Sequence, residues 1–285
     1  MIRALPKPLP DYSIKRREQR LPKGKAVSVG VAFRCTTGIV LCSDTQITWK
    51  DQHKAYDTKQ FYLAGIHWTM ASVYAGDPQL WKSFRDKFYE LIEAFSTSHS
   101  REPETTKELR DILETALCYF NELDSDPMAL CLLMGFVIEN KEIKLVKSEG
   151  KLVSDVNVFD CVGCGDSSVL RYFAPFTADI TQYEWPTISQ ALYTGTYWVL
   201  QAKRWIDGCG GDTEAFVLYW KGTMHKRDKS DICEWEHRLS TLEMDVSSIW
   251  KMLGDGKKTD EEFENSIAAL GKRLREERAR CLREL

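Results

Sequence analysis

The 285-residue sequence lacks several features that would assign it to common functional classes. No apolar run approaches the roughly 20 residues that a membrane-spanning helix needs, and residues 1–27 contain no continuous apolar signal core. The phosphate-binding patterns GxxxxGK[ST] and GxGxxG are absent, which argues against nucleotide hydrolysis. The formal net charge of −3 gives no reason to expect a nucleic acid or an anionic membrane as partner. We therefore expect a soluble, cytoplasmic protein.

Metal-binding and disulfide patterns are equally sparse. The five histidines show no HExxH or paired spacing, and the nine cysteines are scattered mostly through apolar segments. That distribution is typical of reduced, buried thiols and not of a secreted disulfide framework. Cys161 and Cys164 have CxxC spacing, but the second pair or histidines that would make a zinc site are missing. We expect no metal and no cofactor, with zinc at Cys161 and Cys164 as the minor alternative.

What the sequence does contain is a pair of short apolar segments between Ser28 and Thr48, which predicts a β-hairpin. Thr36, Thr37 and Gly38 form the turn between the two strands. The hairpin delivers the Ser28 hydroxyl at the start of one strand and the Asp44 carboxylate at the end of the other. Rigid strands that hold such groups are one way to build a hydrolase site.

The same segment resembles the proteasome-type N-terminal nucleophile (Ntn) hydrolases, the family of the 20S proteasome α and β subunits. In that family a nucleophilic hydroxyl opens the first strand and an Asp-x-Arg/Gln-x-Thr motif closes the second, as Ser28 and residues 44–48 do here. Lys59 lies one residue short of the family's catalytic lysine. Three later motifs extend the resemblance over roughly residues 27–220: Ala75-Gly76-Asp77, Gly163-Cys164-Gly165-Asp166-Ser167-Ser168 and Cys209-Gly210-Gly211.

The resemblance implies an acyl-transfer site with three catalytic residues. Ser28 would be the nucleophile, and its own α-amino group, with an ordinary pKa of about 7.7–8.0, would be the base once the chain is cut before it. Lys59 would stabilise the alkoxide, and the Asp44 carboxylate would pair with the positive charge of Lys59 and hold it in position. The supporting positions that the resemblance implies are Thr48, Val73 (through its N–H as oxyanion donor), Cys164, Asp166, Asp207 and Cys209.

Several positions depart from the family pattern. Val27 stands where self-processing subunits typically have glycine, and its β-branched side chain disfavours a tight turn at the cut. Cys164 and Cys209 replace two supporting serines. Ile206 falls on the family's supporting aspartate, with Asp207 beside it.

The alignment of the hairpin also has an alternative. If the hairpin carried two extra residues, Gly30 would match the family's early strand glycine and Ala26 would stand at the nucleophile position. The ungapped register, which places Ser28 there, needs no insertion and is favoured.

Three hypotheses about function follow from the resemblance. The first is an Ntn peptidase that cleaves peptide or protein substrates inside a ring or another homo-oligomer. The second is a non-catalytic structural or regulatory subunit of the same fold. The third is an Ntn amidohydrolase that acts on a small amide.

Apolar and capping patterns predict a loop over residues 49–57, a buried strand over 129–138, a short helix over 167–173 and helices that begin near Pro78, at Thr105 or Thr106, and at Thr187. The order of the patterns predicts an α+β fold in which strands, two helices, strands, two helices and a strand follow one another. This order suits a four-layer αββα sandwich of the Ntn-hydrolase type and not the strict βαβ alternation of a doubly wound fold. We divide the chain into an N-terminal extension or propeptide (1–27), an Ntn-hydrolase domain (28–220) and a helical C-terminal extension (221–285). The C-terminal helices either stay solvated or dock neighbouring subunits.

Overall fold

The computed structural model describes residues 28–48, 54–121, 130–163 and 185–281. Within these ranges the chain forms two five-stranded antiparallel sheets, a two-stranded pair and five helices. The strands are β1 (Val29–Cys35), β2 (Gly38–Asp44), β3 (Gln46–Thr48), β4 (Lys54–Tyr56), β5 (Gln60–Ala64), β6 (Trp68–Gly76), β7 (Leu130–Ile138), β8 (Glu142–Glu149), β9 (Leu152–Asp155), β10 (Phe159–Gly163), β11 (Thr213–Tyr219) and β12 (Met224–Lys226). The helices are α1 (Pro78–His99), α2 (Thr106–Asn121), α3 (Ile188–Trp205), α4 (Lys229–Leu253) and α5 (Asp260–Cys281).

The first sheet has the strand order β10-β1-β2-β11-β12 and contains the predicted hairpin. The register between β1 and β2 runs unbroken from the Gly30–Ser43 pair to the Cys35–Gly38 pair. At the turn, a Cβ on Gly38 would lie 2.1 Å from the Leu218 carbonyl oxygen of β11, so only glycine fits there. The hairpin prediction is therefore confirmed.

The second sheet has the order β5-β6-β7-β8-β9, again with antiparallel neighbours. Its central strand β7 is almost entirely buried, as its near-continuous apolar sequence predicts. The predicted loop over residues 49–57 is partly wrong, because Lys54–Tyr56 forms β4 and pairs with β3. β4 is exposed and short, so its sequence has no alternating apolar signal.

Both faces of each sheet are covered by apolar side chains. Between the sheets lies one cluster, to which β2 contributes Ile39 and Leu41. The intervening residues Val40 and Cys42 point to the opposite face, where they meet α3 and the first half of α4. The outer face of the second sheet packs against α1 and α2 through a third cluster that includes Trp81, Phe84, Phe88, Leu109 and Leu113.

These elements confirm the predicted α+β class with mostly antiparallel sheets. A predicted short helix over residues 167–173 lies outside the described residues. Beyond residue 220, β12 extends the first sheet, and α4 contributes Ile232 and Trp235 to the cluster around α3. None of the described helices is both long and apolar enough to cross a bilayer.

Candidate active site

Three predicted catalytic residues lie where strands of the two sheets begin or end. Asp44 is the last residue of β2, and Ser28 directly precedes β1 in the same sheet. Lys59 directly precedes β5 in the second sheet. The fold therefore brings a hydroxyl, a carboxylate and an ammonium group from both sheets toward one end of the structure.

Asp44 and Lys59 form a fully buried ion pair. The Lys59 Nζ donates to Asp44 Oδ1 at 2.6 Å, and neither side chain is exposed to solvent. Asp44 Oδ1 also accepts the Val29 N–H at 3.1 Å, and Oδ2 accepts the Gly210 N–H at 3.0 Å. Three donors thus satisfy the carboxylate, which is what a charge in a low-dielectric interior requires.

The electrostatics of Asp44 combine opposing effects. Burial raises the pKa of the Asp44 carboxyl above its ordinary value, while the Lys59 charge and the N–H donors of Val29 and Gly210 act in the opposite direction. Lys59 is the charged partner that compensates the carboxylate within this dry site. Each group therefore depends on the other, and removal of one leaves an uncompensated buried charge.

Ser28 is buried beside this ion pair. It precedes Val29, whose N–H is bound by Asp44, and the residue is only 4% exposed. A Cβ on Gly163 would lie 2.1 Å from the Ser28 carbonyl oxygen and 3.1 Å from the Ala75 Cβ. Gly163 also has φ +98°, so both space and backbone conformation require glycine at the residue facing Ser28.

The predicted turn around Gly210 packs directly on the end of β2. The N–H groups of Thr45 and Gln46 donate to the carbonyl oxygens of Asp212 and Gly210, at 3.0 and 3.1 Å. Gly211 has φ +73°, and a Cβ there would lie 2.5 Å from Thr45 Oγ1. This turn therefore fixes the backbone on which the Asp44 carboxylate is mounted.

Among the supporting positions, Thr48 braces the same turn, because its Oγ1 donates to the Gly208 carbonyl oxygen at 3.2 Å. Cys209 is buried in the apolar cluster around α3, whereas Asp207 is exposed in the turn before it. Cys164 and Asp166 lie outside the described residues.

Val73 lies inside β6, paired with Gln60 of β5 on one side and Leu133 of β7 on the other. Its side chain lies between the two sheets, in the cluster that they share. There it faces β1, because a Cβ on Gly30 would come within 2.7 Å of Val73 Cγ2. Val73 thus fixes the distance between β6 and the strand that begins after Ser28.

Gln60 is a structural contributor that the sequence analysis missed. Its Nε2 donates to the Glu214 carbonyl oxygen at 2.9 Å and to the Leu41 carbonyl oxygen at 3.4 Å. This buried amide ties the second sheet to β2 and β11 of the first, one residue after Lys59. The only sequence signal was its position next to the lysine, because such a cross-sheet contact has no local pattern.

Among the residues that the structure describes, no three His, Cys, Asp or Glu side chains lie close enough to hold a metal ion. Cys35 and Cys42 are buried free thiols in the β1–β2 hairpin. Burial raises the pKa of Cys35 to about 12, so this thiol stays protonated and unreactive at neutral pH. Cys161 is buried as well.

Comparison with known proteins gives matches among solved structures alone. No protein-family model and no curated protein matches the sequence. Anbu (ancestral beta-subunit) from Yersinia bercovieri superposes with a TM-score of 0.65 at 14% identity, over 80% of this chain and 98% of that chain. Anbu from Hyphomicrobium sp. strain MC1 gives a TM-score of 0.64 at 13% identity, over 81% of this chain and 99% of that one.

These matches correct one expectation. The sequence motifs resemble those of the 20S proteasome α and β subunits, whereas the structural neighbours are Anbu proteins, which are proteasome-related but form a distinct family. The hairpin, the lysine and the glycine turns are too short and too widely shared to separate related families. At this level of identity the similarity establishes the proteasome-related fold and nothing about activity.

Proposed function

We propose that this protein is a serine-type Ntn hydrolase that cleaves amide bonds of peptide or protein substrates after the chain is cut between Val27 and Ser28. The observation that carries the proposal is the fully buried Lys59–Asp44 ion pair, joined through the Val29 N–H to the strand that begins directly after Ser28. A buried ion pair is weak evidence for stability, so its place beside a hydroxyl favours a chemical role.

In the proposed mechanism, the freed α-amino group of Ser28 takes the proton from its own Oγ as that oxygen attacks the amide carbonyl. The leaving amine receives the proton, and water then hydrolyses the resulting ester. Lys59 lowers the energy of the developing alkoxide through its positive charge, and Asp44 holds the ammonium in place. The Val73 N–H is the oxyanion donor in this mechanism, as the family resemblance implies.

We also infer a four-layer αββα arrangement for residues 28–220, followed by a helical extension. Its support is the order of the three apolar clusters, with helices on the outer face of each sheet and one cluster between the sheets. Residues 1–27 act in this proposal as a propeptide. The name ancestral beta-subunit, given to the structural neighbours, supports assembly into a homo-oligomer.

A non-catalytic structural or regulatory subunit is the second candidate. Two observations favour it: Cys209 belongs to an apolar cluster, and Asp207 is exposed in the turn before it. In this case the chain retains residues 1–27, and Ser28 has no α-amino group to serve as base.

Intact mass and N-terminal sequencing of the protein purified from its native source test the proposal first. A chain that begins at Ser28 supports the hydrolase, and a chain that still includes residues 1–27 contradicts it and favours the second candidate. On the processed protein, hydrolysis of fluorogenic peptides and of small amides is then measured. Turnover of small amides alone would point to an amidohydrolase.

Variants identify the residues responsible. Ser28→Ala removes the nucleophile, and Lys59→Met removes the charge; each is expected to lower turnover at least about 100-fold, because such groups supply factors of this size. Ser43→Ala is the matched control, since this buried serine beside Asp44 has no hydrogen-bond partner for its Oγ among the described residues. Unchanged turnover in Ser28→Ala would refute the mechanism.

A further inference from the structure

The two C-terminal helices form a hairpin with an exposed apolar face. Arg273 of α5 pairs with Asp245 of α4 at 2.6 Å, and Glu277 pairs with Arg238. These contacts fix which sides of the antiparallel helices face each other. The residues one position later on each helix lie on a common flank of the hairpin.

That flank carries large apolar side chains in place of polar ones. On α4 it contains Val246, Trp250 and Leu253, and on α5 it contains Ile267 and Leu274. Trp250 is 69% exposed and Leu253 is 60% exposed, although earlier residues at equivalent positions on α4, such as Leu239, are buried in the domain. An exposed contiguous apolar face of this kind marks an interaction surface.

The charges of α5 indicate what covers the face. Its first half, residues 260–270, contains four acidic and no basic residues. Its second half contains five basic and two acidic residues. A second α5 helix that runs antiparallel therefore meets each half with the opposite charge, which makes the helix complementary to a copy of itself.

The register of the exposed positions has the same symmetry. Glu264, Ile267, Gly271, Leu274 and Arg278 follow one another along the flank at spacings of three and four residues. When Gly271 lies against its own copy, Ile267 lies beside the partner's Leu274, and Glu264 lies beside the partner's Arg278. Within the described part of the chain, Glu264 and Arg278 have no ion-pair partner of their own.

The glycine at position 271 also supports an alignment in which the two α5 helices cross at this residue. Glycine inside a helix costs about 1 kcal/mol relative to alanine. Among the described residues, and apart from the backbone of α5 itself, a Cβ at this position would have only Arg275 Nη1 within 4 Å, at 3.8 Å, so no close packing contact requires the glycine. A close approach of two helices at this point would use the missing side chain.

We propose that a second copy of this chain docks on this flank, with the two α5 helices antiparallel and a two-fold axis near Gly271. The interface is isologous, because the same residues meet on both sides. Apolar side chains of α4 and α5 fill its centre, and the Glu264–Arg278 pairs close its two ends. This contact is independent of whether the Ser28 site is active.

A charge-swap experiment tests the interface on the full-length chain by sedimentation at low ionic strength. Glu264→Arg and Arg278→Glu each place like charges opposite one another, so each is expected to raise the dissociation constant of this contact at least about tenfold. The double variant Glu264→Arg/Arg278→Glu restores the opposite charges and the affinity. Within one helix these residues are about 21 Å apart, so rescue cannot arise inside one copy.

Lys272→Glu is the matched control, because it makes the same charge change on a face of α5 about 100° around the helix from Gly271, where the Lys272 side chain is 75% exposed. It is expected to leave the dissociation constant unchanged. An equal effect of Lys272→Glu and Arg278→Glu, or a double variant that is no better than the singles, would overturn the proposed register. A wild-type chain that stays monomeric at high concentration would overturn the interface itself.

A cross-link reports the crossing point directly and distinguishes this contact from any other assembly interface. Gly271→Cys is expected to give a disulfide-linked dimer under mild oxidation, since two-fold symmetry brings the two positions together. Ala269→Cys, on the opposite side of the helix, serves as control. A cross-linked fraction no greater than that of the control and of the unmodified chain would contradict the proposal.

Discussion

At the scale of single residues, Asp44 and Lys59 form an ion pair in which both side chains are fully buried. Both charges are withdrawn from water, and the carboxylate is satisfied by the ammonium group and by the N–H groups of Val29 and Gly210. Such a pair tolerates poorly the loss of one member, because the other then remains charged in a medium that solvates it badly.

We therefore expect Asp44→Asn and Lys59→Met each to lower the free energy of unfolding by about 3–5 kcal/mol. The double variant Asp44→Asn/Lys59→Met removes both charges and should recover a large part of that loss. Urea denaturation of the four proteins measures these differences. If the loss in the double variant equalled the sum of the two single losses, the two groups would not stabilise each other.

Gly30 shows how a strand can require the absence of a side chain. A Cβ there would come within 2.7 Å of Val73 Cγ2 and 3.1 Å of Val162 Cγ2. Gly30→Ala is expected to destabilise the protein by about 1–3 kcal/mol through overpacking between the sheets. Adding Val73→Ala removes the side-chain atoms that the new Cβ would contact. The melting temperature of Gly30→Ala/Val73→Ala is therefore expected to be higher than that of Gly30→Ala.

At the scale of elements, side-chain caps define where the helices begin. Asp77 accepts the Gln79 N–H at the start of α1, which has Pro78 in its first turn, and Thr187 and Gln190 form a capping box on α3. These starts agree with the beginnings predicted near Pro78 and Thr187. Local hydrogen bonds of this kind depend on neighbouring residues alone, so the sequence predicts them well.

The cap of α2 has a consequence for pH dependence. Thr105 Oγ1 accepts the Glu108 N–H at 3.2 Å, and Glu108 Oε2 accepts the Thr105 N–H at 3.1 Å. The hydrogen bond from Arg101 and these N–H donors lower the pKa of Glu108 from 4.5 to about 2. Because the folded-state pKa is depressed, the ionised Glu108 stabilises the protein above its unfolded pKa, and the contribution is lost as the pH falls from 4.5 toward 2.

Glu108→Gln is accordingly expected to lower the free energy of unfolding by about 1 kcal/mol at neutral pH and by almost nothing near pH 2. Denaturation of both proteins across this pH range measures the difference between their free energies of unfolding. The other carboxylates contribute equally to both proteins, so their titration cancels in this difference. A difference that stays constant with pH would contradict the assignment.

At the scale of the whole molecule, the residues beyond 220 form one part that packs against the first sheet and another that projects from it. β12 and the first half of α4 belong to the first sheet and to the cluster around α3, through Ile232 and Trp235. The second half of α4 and all of α5 project from this cluster, which is why their apolar residues are exposed.

A truncation after Gly254 is therefore expected to leave the melting temperature within a few degrees of that of the full chain. A truncation before Asp228 exposes the cluster around α3 and should lower the melting temperature by more than about 10 °C, if it folds at all. Calorimetry of both proteins tests the predicted division at residue 220. Equal stability of the two truncated chains would support a boundary at that position.

The sequence by itself determined the features that depend on local order: the β1–β2 hairpin, the capped helices, the buried strand β7 and the α+β class. It also indicated Asp44 and Lys59 as candidates, but through a resemblance that pointed to a neighbouring family. Only the tertiary structure decided that Asp44 is held by Val29 and Gly210, that Gln60 joins the two sheets, and that Gly163 faces Ser28. These contacts join residues far apart in the chain, and their geometry depends on how two sheets pack, for which no local pattern exists.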